Sequence, residues 1–170
     1  MKYRGVPFLI QIRGVIESAG LRPTVVVLGR SADKILKELD LSSSTVVRNP
    51  EPDTGPLQSL KLALVELNQM VDGALVWHVD RPRVQKRTVE QLVQRAEQGP
   101  EPIIVPSYSE RRGHPIVFMR PVFDELLQTQ NALGARAVVR ADPQRVAVLP
   151  VDDPAVLEDI DTPEDYRELR

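Results

Sequence analysis

Apolar positions recur along this chain with two different periods. Phe8, Ile12, Val15 and Ala19 are spaced three or four apart, which predicts a helix over Pro7–Ala19, with Pro7 at its start and Gly20 closing it. Thr24–Leu28 reads TVVVL, a β-branched run that predicts a buried strand. Ser31 stands where it can cap a helix running to about Leu39, Thr45–Val47 is a second short strand, and PEPDTGP at 50–56 is a turn-rich loop. Leu57, Leu60, Leu64, Leu67 and Val71 form one stripe of a further helix. Ala74–Val79 predicts a strand, and Thr88–Gln98 a helix with Val89, Leu92, Val93 and Ala96 inward. Strands follow at Pro102–Pro106, Pro115–Met119 and Arg145–Val151, with helices over Pro121–Thr129 and Gly134–Arg140. Thr162-Pro163-Glu164-Asp165 opens a last helix: a threonine cap, a proline in the first turn, and acids against the positive helix end.

The strands are continuous apolar runs and alternate with helices. Such strands are covered on both faces, so the pattern predicts an α/β sandwich around a mainly parallel sheet. Composition sharpens this. With 170 residues, 42% of them hydrophobic, one domain can bury about 70% of its chain surface without staples. The absence of cysteine excludes disulfides and thiolate chemistry and fits a reducing compartment. Net charge is −2 with signs interspersed, and no long basic run points to nucleic acid or an anionic membrane. The apolar runs are too short to span a bilayer. MKYRGVPFLIQIRG lacks a small-residue cleavage site, so it reads as mature protein with a cytoplasmic location expected.

The candidate chemistry is acidic. Asp80 follows the apolar run ALVWHV and precedes Arg81-Pro82, at the carboxyl end of a strand, where open α/β sheets bind ligands. His78 alternates with Asp80 and can share its face. VDDPAVLEDIDTPEDY (151–166) returns seven carboxylates after the last strand. Two carboxylates from separate strand ends can hold a magnesium ion, with phosphates and water completing its shell. A plainer reading stands beside this one: Asp80 as a cap or solvated loop charge, Glu164 and Asp165 serving the helix start, and Asp152 and Asp153 facing solvent. In ERRGHPIVF (110–118), Gly113 permits close backbone approach, and His114 with two arginines can face an anion. Only two histidines are present, which argues against a zinc site.

In this order, VVVLGRSADKI, VVRNPEPDTGPLQSLKLAL, ALVWHVDRPRV, IIVPSYSERRGHPIVF and LEDIDTPEDY resemble the MobA-like nucleotidyltransferases, which include the molybdenum-cofactor cytidylyl- and guanylyltransferases. The resemblance implies a three-layer α/β/α sandwich with a Rossmann-like, mainly parallel sheet, and one domain over residues 1–170. It implies Asp80 and Asp161 as catalytic, magnesium-binding carboxylates, with Asp159 as the rival ligand. Asn49, Gly55 and Ser59 would meet the nucleotide, and Gly113, His114 and Pro115 the acceptor. The implied reaction is attack by a phosphorylated acceptor, such as molybdopterin cofactor, on the α-phosphate of a nucleoside triphosphate, releasing pyrophosphate. The stretch around Ser59 and the Gly-His-Pro loop lean to CTP over GTP. A molybdoenzyme maturation partner is also implied; alternatives are a sugar-phosphate or other small acceptor, or a non-catalytic cofactor-binding or maturation protein on the same scaffold. Members begin with a strand and a glycine-rich phosphate loop. Here MKYRGVPFL resembles the segment just after that loop, so the first strand is expected to be missing, and the chain to be truncated at its N-terminus relative to the family. A start placed at an internal methionine is the favoured explanation, and a shortened relative that has lost catalysis the other.

Overall fold

The computed structural model describes residues 1–67 and 71–169. Lys2–Tyr3 (β1) and Val6–Pro7 (β2) form a small antiparallel hairpin ahead of helix Phe8–Ser18 (α1). Val25–Leu28 (β3), helix Ala32–Glu38 (α2) and Thr45–Arg48 (β4) form a parallel β-α-β unit. Ser31 makes no side-chain cap to α2, contrary to expectation; its backbone is not extended as a cap requires. Helix Pro56–Leu67 (α3) carries the predicted stripe on Leu57, Leu60, Leu64 and Leu67, all buried. Val71 packs partly buried against the same core, and residues 68–70 between lie outside the described residues.

Gly73–Val76 (β5), helix Lys86–Gln98 (α4), Ile103–Tyr108 (β6), Arg111–Arg112 (β7), Ile116–Met119 (β8), helices Phe123–Gln128 (α5) and Arg136–Ala141 (α6), and Val146–Pro150 (β9) complete the central body. Helix Pro163–Glu168 (α7) closes the chain with the predicted cap: the Thr162 hydroxyl accepts from the Asp165 amide, and Asp165 accepts from the Thr162 amide. Side chains alternate across the sheet. Ile103, Val105 and Phe118 point to α3 and α5, while Ile104, Val117 and Ala147 point to Leu92 and Ala96 of α4. The three-layer α/β/α reading therefore stands.

The sheet is mixed rather than mainly parallel. β3 and β4 pair parallel in a separate two-stranded sheet; in the five-stranded sheet β6–β9 is parallel and β5–β8, β6–β7 and β6–β8 are antiparallel. The chain reverses at Ser109-Glu110, both at positive φ (47° and 63°), the two-residue hairpin geometry that matches strand twist. β7 and β8 then follow the same edge of β6. Ser107 pairs with Arg112, but Ile104 pairs with Val117, so the register slips by two residues between them. Gly113-His114-Pro115 is that slip: a bulge which pushes His114 out of the ladder.

β3 pairs only with β4, and β5 only with β8, among the described residues. Both strands line one groove of about 1620 Å³, floored by Leu57, Leu60 and Leu64.

Candidate functional site

β5 ends at Val76, earlier than the predicted Val79, so Asp80 sits on a turn beyond the strand, where the Arg81 amide donates to the His78 carbonyl (3.3 Å). Trp77 Nε1 donates to the Arg81 carbonyl (3.0 Å), which pins this turn. Asp80 Oδ1 is buried and has no hydrogen-bond partner among the described residues. An orphaned buried carboxylate oxygen is costly unless something binds it.

Three other predicted pieces converge here. Gly55, Ser59, Asp80, Gly113 and His114 all line the large groove. Gly55 turns the chain into α3 at φ +100°, a backbone that suits glycine. Asn49 lines a smaller adjoining hollow of about 660 Å³. It is buried, donates from Nδ2 to Ser59 Oγ (3.0 Å), and accepts from the Glu51 amide (2.8 Å). Its amide thus fixes the loop against α3. Pro115 is buried beside the bulge and does not line the groove.

The acidic segment meets the Asp80 turn through its backbone: the Ile160 amide donates to the Asp80 carbonyl (3.0 Å). The flanking acids part company. Asp159 is ion-paired with Arg81, whereas the exposed Asp161 carboxylate has no hydrogen-bond or ion-pair partner among the described residues. Asp153 departs from the expected solvent exposure. At 1% exposed, it accepts from the Gln85 amide (2.9 Å), the Thr88 hydroxyl (2.7 Å) and the Ala155 amide (3.2 Å), capping the start of α4. Among the described residues no three His, Cys, Asp or Glu side chains form a metal cage. Asp161 lines neither the large groove nor the smaller hollow; carboxylates with open positions suit magnesium or manganese, which keep water and substrate oxygens in their shell.

The His78 and His114 rings lie 5.1 Å apart. Burial, then the Arg81 cation, then His78 push the His114 imidazole down to about 4, so it is neutral near pH 7. Arg112, Arg136 and Arg140 bring positive charge to the groove wall. Sequence reading missed Arg81, Asp153, Arg136 and Arg140 as site components. The long-range partners of the first two lie 65 to 78 residues away, and no local spacing signals them.

A mixed sheet between helix layers, with a carboxylate at a strand-end turn and a glycine-led loop beside it, defines an α/β fold of the nucleotidyltransferase type. Comparison with known proteins agrees. Residues 1–148 match the model of the MobA-like NTP transferase domain, and the chain belongs to that family. It is similar to Rv0371c of Mycobacterium tuberculosis H37Rv, whose crystal structure in complex with manganese superposes with a TM-score of 0.88 at 28% identity, over 99% of this chain and 89% of that one. A nucleotidyl transferase from Methanothermobacter thermautotrophicus (Mth528) shares the fold: TM-score 0.79, 22% identity, 100% of this chain and 82% of that one. Nicotine blue oxidoreductase of Paenarthrobacter nicotinovorans is 27% identical over 99% of this chain and 85% of its own length. No helix among the described residues is long and apolar enough to cross a membrane.

Proposed function

We propose that this chain carries the site of a magnesium-dependent nucleotidyltransferase, with CTP ahead of GTP as donor and a small phosphorylated acceptor such as molybdopterin cofactor. An acceptor phosphate oxygen forms a bond to the α-phosphorus, the α–β bridging bond breaks, and pyrophosphate leaves. The observation that carries the reading is Asp80 Oδ1, buried without a partner on the groove that Gly55, Ser59 and His114 also line. Asp80 and Asp161 would hold the cation, and the manganese complex of the similar mycobacterial protein supports a divalent metal. Bound there, a divalent cation neutralises phosphate charge and aligns the displacement. Asn49 holds Ser59 toward the base and ribose, and neutral His114 presents a ring to the acceptor without adding charge. The chemistry needs alignment and charge more than a protein nucleophile.

The domain proposal follows the same line: residues 1–170 make one domain around this groove. Binding is therefore the first test. Thermal shifts with CTP, GTP, ATP and UTP, with and without magnesium, should show stabilisation by one triphosphate that depends on magnesium and is lost in Asp80→Ala. Stabilisation that Asp80→Ala leaves intact would remove Asp80 from the site.

A further inference from the structure

Arg81 is a largely buried cation with three partners among the described residues. Its side chain is 11% exposed although it ends a turn on which Val79, two positions earlier, is exposed. Nη1 donates to the Val156 carbonyl (3.0 Å) and the Glu158 carbonyl (3.3 Å), while Nη2 pairs with the Asp159 carboxylate. One planar guanidinium thus grips three points of the acidic segment, a match that a lysine ammonium cannot reproduce.

The Val156 carbonyl is also the acceptor for the His114 amide (2.9 Å). Gly113 passes so close that a Cβ there would lie 2.2 Å from the same oxygen. Behind this junction, Val84, Val151, Ala155 and Val156 form a buried apolar cluster with Trp77 and Leu157 packed on it. The Asp80 turn, the His114 bulge and the acidic segment therefore meet at one carbonyl, with Arg81 spanning them. The ion pair has a second effect. Asp159 and Asp161 flank Ile160, whose amide is fixed to the Asp80 carbonyl, so either acid could serve the cation on sequence grounds. The pair to Arg81 occupies Asp159 and leaves Asp161 available.

We propose that Arg81 is a positioning residue: it fixes the acidic segment over the Asp80 turn and, by holding Asp159 in an ion pair, selects Asp161 as the second carboxylate of the cation site. The selection half rests on the proposed function; the strut half does not. Arg81 touches no reacting atom and acts through the segment it holds.

Two readouts on the full chain separate these halves. Hydrogen exchange at the His114 and Ile160 amides reports the junction directly. Mn2+ titration followed by electron paramagnetic resonance reports the site. Arg81→Met should speed exchange at both amides and weaken Mn2+ binding about tenfold, the scale of a lost residue that orients a metal ligand. Arg81→Lys, which keeps the charge without the fork, should fall between; it also decides the matter if Arg81→Met does not fold. Asp161→Asn should weaken Mn2+ far more than Asp159→Asn. Unchanged amide exchange in Arg81→Met and Arg81→Lys overturns the strut. Equal losses from Asp159→Asn and Asp161→Asn overturn the selection. Wild-type chain that binds no Mn2+ removes the cation reading along with the selection, and exchange alone then decides the strut.

Discussion

Asp153 offers the sharpest energetic test, because a solvent-facing acid and a buried cap predict different stabilities. Its carboxylate takes three close donors, the Gln85 amide, the Thr88 hydroxyl and the Ala155 amide, in a site where Thr88 is itself buried. Asp153→Ala strips all three. Hydrogen bonds to a charged group contribute about 1.5–3 kcal/mol each, and donors left buried and unpaired add their own desolvation cost. Against this, the variant no longer desolvates a carboxylate, which returns several kcal/mol. The balance is a loss of about 3 kcal/mol, at the upper end of ordinary single substitutions. For a domain of this size that corresponds to a fall in Tm of about 6–12 °C. Urea unfolding followed by circular dichroism measures it, with an unchanged m-value showing that the native state keeps its extent. Thr88→Val should cost about 1.5–3 kcal/mol, the size of one hydrogen bond to a charged group. The double variant should lose less than the two singles together, since both remove the same bond. A loss below about 0.5 kcal/mol, the usual range for an unremarkable surface change, would refute the cap.

Other outcomes are fixed by the same geometry. Gly113→Ala forces the bulge away from the Val156 carbonyl and should cost about 2 kcal/mol, with faster exchange of the His114 amide; wild-type stability would contradict the close approach. His114 is pushed down from 6.5 to about 4, so the unfolded chain takes up its proton first. Its contribution makes stability fall as pH drops from about 6.5 toward 4, and His114→Gln should flatten that slope; an NMR titration at the ordinary histidine value would contradict it.

Much of the fold was legible because burial on two sheet faces leaves continuous apolar runs, and amphipathic helices leave stripes such as Leu57–Leu67. Strand direction was not legible. Nothing in IIVPSY or IVFM tells parallel from antiparallel, and the reversal uses Ser109-Glu110 at positive φ, where glycine or asparagine would have advertised it. Asp80 stood out because one acid ended an apolar run, and the Gly-His-Pro loop because it resembles a motif of the family. The partition between Asp159 and Asp161 was invisible, since it depends on Arg81 reaching across 78 positions of sequence. Asp153 and Asp152 are chemically identical in the chain; only the proximity of Gln85 and Thr88 makes one a cap.

The meeting of three site segments at the Val156 carbonyl has a consequence for heredity. That oxygen belongs to the main chain, so no codon encodes it and no alanine scan deletes it. Leu157 and Glu158 can drift while the junction persists, whereas Gly113 and Arg81 can change only by breaking it. The junction will therefore look, in any survey of variants, like an intolerance at 81 and 113, while an intolerance at 156 reports its buried side chain and not the oxygen they share. Replacing the 156–157 amide with an ester, which weakens the carbonyl as an acceptor without altering a side chain, is the perturbation that reaches it.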